Sequence, residues 1–129
     1  MVSRKRIKLD VDWFGWPTWD LDSVGDFDPA ELPISQEALN RLRAWQLAFD
    51  ANFNHDYPPD SGFSSEEARE EWYREGIKIW LQLQQELGSD HEVYYSFTHN
   101  GKGQLFKLDE LPDELRDKWL NDSATNLNL

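Results

Sequence analysis

At 129 residues without a cysteine, the chain has the length of one compact domain, and disulfide frameworks, thiolate metal sites and cysteine nucleophiles are excluded. A net charge of −12 and a pI near 4.5 argue against direct binding to nucleic acid or anionic lipid, both of which present negative charge. Hydrophobic content of 39%, with 14% aromatic residues, predicts a folded, aromatic-rich core despite a mean hydropathy of −0.78.

The first eight residues are basic, but no apolar run of signal-peptide length follows them, and no stretch approaches the roughly twenty apolar residues of a membrane span. A soluble, cytoplasmic protein is therefore expected. Ile7, Leu9, Val11 and Trp13 alternate with Lys8, Asp10 and Asp12, the period of a strand with one buried face. Residues 14–32 then lose periodicity, with Gly15, Pro17 and Gly25 among dense Asp, and read as an ordered loop pinned by its tryptophans. Ser35 is placed to cap a helix whose apolar face runs Leu39, Leu42, Trp45, Phe49 and Phe53, ending near residues 52–55 before Tyr57-Pro58-Pro59. Ser64 and Glu67 have capping-box spacing at the start of a second helix, with Ala68, Trp72, Ile79, Trp80, Leu83 and Leu87 inward. Gly76 on that face suits a close backbone approach, and Gly88 suits the C-terminal stop. Val93, Tyr95 and Phe97 alternate again, residues 104–108 form another apolar run, and residues 99–103 between them supply a hairpin turn. Residues 112–120 suit a short last helix, and 121–129 form a polar tail expected to fray. The predicted order is β-α-α-β-β-α. It gives one α+β domain over residues 1–120, a small antiparallel sheet of about three strands backed by two main helices.

No catalytic constellation stands out, and a non-catalytic protein is expected. His55, His91 and His99 are scattered without the spacing of a zinc helix, and no G-x-S-x-G elbow accompanies Ser61, Ser64 and Ser65 near His55. With 25 acids, carboxylate pairs at glycosidase separations carry no specificity. The sharpest local pattern runs from Asp20 to Glu31. Set against a twelve-residue calcium loop, it has Asp20, Asp22 and Asp28 at ligand positions, Gly25 at the turn and Glu31 at the end, with Asp26 between. Val24 occupies a ligand position, Pro29 stiffens the loop, and Trp16-Pro17-Thr18-Trp19 is a poor entering helix, so an acidic turn is the expectation and neither metal nor cofactor is assigned. Trp13, Trp16 and Trp19 recur every third residue, as an exposed aromatic platform or as a lid over the core. Burial is expected to win, with one ring left at the surface.

The charge is regional. Residues 10–71 hold fifteen Asp and Glu against Arg41, Arg43 and Arg69, so that stretch alone accounts for a net −12. An acidic field beside large apolar groups suits rapid capture of a basic partner.

Several segments together carry a resemblance. They are Trp16-Pro17-Thr18-Trp19, the run Asp28-Pro29-Ala30-Glu31-Leu32-Pro33-Ile34-Ser35, Leu42-Arg43-Ala44-Trp45, Phe49-Asp50, Asn54-His55-Asp56-Tyr57-Pro58, and Ser61-Gly62-Phe63-Ser64-Ser65-Glu66-Glu67-Ala68. Across residues 13–97 the chain resembles small acidic bacterial proteins, some of which look like immunity proteins of polymorphic or contact-dependent growth-inhibition toxin systems. The resemblance implies a protein partner, a cognate toxin domain, which the protein neutralises in the cytoplasm. For a basic, nuclease-like toxin it implies an interface built from Asp20, Asp22, Asp26 and Asp28 with Asp56 and Asp60, anchored by Trp16 or Trp19. A stand-alone acidic regulatory or scaffold module is the alternative reading.

Overall fold

A computed structural model describes residues 5–99, 102–107 and 110. Five strands, β1 (Lys5–Leu9), β2 (Thr18–Asp20), β3 (Asp26–Phe27), β4 (His91–His99) and β5 (Lys102–Phe106), form one sheet in the order β3-β2-β1-β4-β5. Two helices, α1 (Gln36–Asp50) and α2 (Glu66–Leu87), lie between β3 and β4 in sequence.

The α+β class holds, but the sheet has five strands rather than three, and it is mixed. β1 runs antiparallel to β2 and parallel to β4, with Ile7 opposite Val93 and Leu9 opposite Tyr95. Parallel neighbours need a long crossover, and α1 and α2 supply it. β2 and β3 were hidden in the stretch read as a loop because they are three and two residues long, too short to show alternation. β2 is held on β1 at both ends of the ladder, where the Asp10 N–H bonds the Pro17 carbonyl at 3.2 Å and the Leu21 N–H bonds the Arg6 carbonyl at 3.0 Å, and β3 pairs in turn with β2, Thr18 opposite Phe27. β4 and β5 form the expected hairpin, with His99 opposite Lys102. Its two-residue connection, like the expected 112–120 helix and the 121–129 tail, lies outside the described residues.

Both helices begin at serine caps. The Ser35 hydroxyl accepts from the Ala38 N–H at 3.1 Å, as the sequence predicts, whereas α2 is capped one residue later than expected, by Ser65 on the Ala68 N–H at 3.0 Å. Gly88, at φ +68°, ends α2. α2 packs on β4, and α1 on α2. Inward residues of the strands (Ile7, Leu9, Thr18, Val93, Tyr95, Phe106) meet Trp72, Ile79, Trp80 and Leu83 of α2, and Leu42 and Trp45 of α1 complete the core.

The two helices are joined by a pair of indoles. Trp45 and Trp72 stack at 4.3 Å with an interplanar angle of 5°. Each donates its Nε1–H to the other's backbone carbonyl, at 3.0 and 2.9 Å, so neither polar atom is left buried without a partner. Gly76 makes room for this arrangement. A Cβ there would collide with the Tyr95 hydroxyl and lie 2.8 Å from the Trp45 ring. Tyr95 donates to the Tyr73 carbonyl at 3.0 Å, and burial pushes its phenol well above its ordinary pKa, so it remains a neutral core donor. Glu86 ties the far ends of the helices. Its two oxygens accept the Ser35 N–H at 2.6 Å and hydroxyl at 2.8 Å, and the Gln82 amide adds 2.9 Å. Chiefly through the Ser35 N–H, these bonds hold the Glu86 carboxyl below its ordinary value of 4.5.

Two outcomes are expected. Gly76→Ala destabilises the protein by about 1–3 kcal/mol through overpacking, against at most about 1 kcal/mol gained in helix propensity, and denaturant titration reads the net loss. Glu86→Gln costs under about 1 kcal/mol at neutral pH, because the site is solvent-screened. Since the folded-state pKa is lowered, that stabilisation is complete above the unfolded value and disappears as pH falls through the folded one. Melting curves of the two proteins should therefore differ at pH 7 and converge in acid.

Candidate functional site: an aromatic turn clamped to the first helix

Between β1 and β2 the chain makes a turn through Asp12-Trp13-Phe14-Gly15-Trp16. Trp13 points inward, stacked on Phe49 of α1 at 4.2 Å and edge-on to Phe53 at 5.3 Å. Phe14 and Trp16 point outward, with exposures of 60% and 42%.

The turn is held by polar groups from two elements. Asp50 of α1 accepts the Phe14 N–H at 2.9 Å, and Asp26 of β3 accepts the Trp16 N–H at 2.7 Å. Gln46, buried on α1, donates to the Asp12 carbonyl at 3.0 Å and to Asp50 at 2.9 Å, and the Gly15 N–H closes the turn on the Asp12 carbonyl at 3.1 Å. These bonds keep Phe14 at φ +60°, a left-handed conformation that costs a bulky residue about 1–2 kcal/mol. Such strain persists only where the surroundings enforce it, and it concentrates at ligand clamps. Leu47, 67% exposed one residue beyond Gln46, faces the turn across a cleft of about 360 Å³ that Phe14, Trp16, Pro17, Arg43 and Asp50 also line.

The acidic residues singled out from the sequence are only partly gathered here. Residues 20–28 fold as the β2–β3 hairpin. Asp20 accepts the Asp22 N–H at 2.8 Å, Asp28 caps the single 3₁₀ turn Pro29–Glu31 through the Ala30 N–H at 2.9 Å, and Asp26 sits beneath Trp16. Asp22 is paired with Arg6 at 2.6 Å, which lowers the carboxyl pKa and raises that of the guanidinium. Glu31 is exposed. Among the described residues no group of three or more His, Cys, Asp or Glu is arranged to hold a metal ion. Trp19 does not join Trp16. It lies on the sheet face away from the helices, its indole bonded to the Asp10 carbonyl at 3.2 Å and Lys8 5.3 Å above its ring. Asp56 and Asp60 are exposed in the α1–α2 connection. His55, adjacent to Asp56, stands 4.9 Å from Phe53 and 6.2 Å from Phe14, so this connection borders the aromatic turn. Sequence reasoning missed Phe14, Leu47, Gln46 and Asp50. Leu47 alone left a signal, a leucine two positions from Trp45 and therefore off the buried stripe.

The arrangement presents exposed aromatic and aliphatic side chains beside one carboxylate, Asp50, and one guanidinium, Arg43, a surface suited to holding another protein. No helix among the described residues is long and apolar enough to cross a membrane. Comparison with curated proteins gives no match. The family model for Serratia CdiI immunity protein-like proteins matches residues 5–98, which take in the aromatic turn, both helices and nearly all of β4. With most of its length matched, the chain belongs to the Serratia CdiI immunity protein-like family.

Proposed function

We propose that this protein neutralises a cognate toxin domain by binding it without catalysis, through the Phe14–Trp16 turn and the acidic groups around it. Family membership supports a toxin protein as the partner. The observation that carries the choice of surface is the strained, clamped turn. Its backbone is fixed by Gln46, Asp50 and Asp26, while two large aromatic side chains are left in solvent. A preorganised aromatic anchor loses little entropy on docking and slows escape.

Charge supplies the approach. The net −12, concentrated over residues 10–71, attracts a basic toxin, such as a nuclease whose cleft is built for phosphate. Asp56, next to His55 at the edge of the turn, and Asp60, farther along the same connection, are exposed, while Asp20, Asp26 and Asp28 add their charge to the field. Asp22, paired with Arg6, contributes least. Trp16 is the apolar anchor in this reading, and Trp19 is structural. The action belongs in the cytoplasm, where the toxin would do its damage.

The deciding experiment titrates the protein with the C-terminal toxin domain encoded by the neighbouring upstream gene. Tight binding that abolishes toxicity is expected, with association slowing as salt rises. Absence of binding at both low and moderate salt would sink the proposal. Phe14→Gly separates function from stability. Glycine accepts φ +60° without strain, so the melting temperature holds or rises, while affinity falls about tenfold or more. Trp16→Ala should weaken binding to a similar degree.

A further inference from the structure

The outer side of α1 separates two clefts. Leu47 faces the aromatic turn, and Ala44 and Ala48 line a second depression, of about 460 Å³, between α1 and α2. Its floor is the edge of the Trp45–Trp72 stack together with Phe63. The alanines are what keep it open, since any longer side chain at those exposed positions would fill it.

The rim of this cleft carries an uncompensated charge. Arg41 is committed to Glu75, at 3.0 and 3.1 Å, and to Gln82 at 2.7 Å. Glu71 is exposed at the same rim and has no ionic partner among the described residues. We infer that this cleft is a second docking site that takes a lysine or arginine side chain of the toxin domain, its aliphatic stem on the aromatic floor and its cation on Glu71. This inference rests on the toxin-binding reading above.

Charge and shape together favour that occupant. Basic side chains lay their methylenes along apolar surface while keeping the charge at its edge, here beside the exposed Glu71 carboxylate. A wholly apolar group would strip water from Glu71 without replacing it. An acidic group, or a second copy of this acidic chain, would be repelled by a molecule of net charge −12. The toxin would then straddle α1, with the aromatic turn on one flank and the basic side chain on the other.

The test measures affinity for the same upstream-encoded toxin domain by calorimetric titration, with melting temperature as the control for folding. Ala48→Trp fills the cleft and Glu71→Arg reverses its charge. Asp90→Lys makes the same charge change beyond the far end of α2, and the helix alone puts roughly 24 Å between Glu71 and Leu87. Ala48→Trp and Glu71→Arg should each weaken binding about tenfold or more with little change in melting, and Asp90→Lys by less than about threefold. Wild-type affinity in both cleft variants, alongside a weakened Trp16→Ala, would overturn the second site and leave the immunity reading intact. A loss confined to Ala48→Trp would make the occupant apolar, and a loss confined to Glu71→Arg would leave the cleft empty; either overturns the proposal. So would an equal loss in Asp90→Lys, which would assign the effect to the overall field. A wild-type dimer in ultracentrifugation that Ala48→Trp disperses would give the cleft to a second copy instead. Failure of the wild-type protein to bind any toxin domain would remove both readings together.

Discussion

The reciprocal bond between Trp45 and Trp72 is the constraint on which the rest of the molecule depends. Two helices that return the chain from β1 to a parallel β4 must be fixed to each other and to the sheet. The stacked indoles do the first, each satisfying its N–H on the other's helix. Gly76 does the second by letting Trp45 and Tyr95 meet across the α2 backbone. Tryptophan buries more apolar area than almost any other residue, and here its polar atom also finds a partner, so burial and hydrogen bonding act in the same direction.

From that fixed α1 the display of the aromatic turn follows. One turn of the helix carries Trp45 inward, Gln46 and Asp50 toward the aromatic turn, and Leu47 into solvent. Two of the side chains that hold the turn, Gln46 and Asp50, therefore stand on a helix fixed to α2, and the third, Asp26, stands on β3. Phe14 remains in a left-handed conformation because the hydrogen bonds around it outnumber the local penalty. A rigid display of this kind fits a protein whose task is to hold a partner, and membership of an immunity protein-like family points to the same task.

The acidic residues divide into two populations that the sequence alone does not distinguish. Asp26, Asp28, Asp20 and Asp50 accept backbone N–H groups and shape the fold, and they add charge to the surface as a by-product. Asp56, Asp60 and Glu71 are exposed. In the proposed reading a composition of 25 acids thus serves local architecture and long-range attraction together.

The sequence by itself determined the two helices, the Ser35 start of α1 and the Gly88 stop of α2, the β4–β5 hairpin, the importance of Gly76 and the net negative charge. Each is written in local periodicity, capping chemistry or charge. Tertiary structure decided the rest. β2 exists because the edge of β1 offers it hydrogen bonds and β3 because β2 offers it the next edge, and their five residues carry no alternation of their own. The sheet is mixed because packing of α1 against α2 sets the direction of return, which no strand sequence encodes. Trp13, Trp16 and Trp19 look alike in the chain. One packed half-buried against α1, one stayed at the surface and one went to the opposite face of the sheet, because contacts from Phe49, Asp26 and Lys8, distant in sequence or on another strand, set each environment.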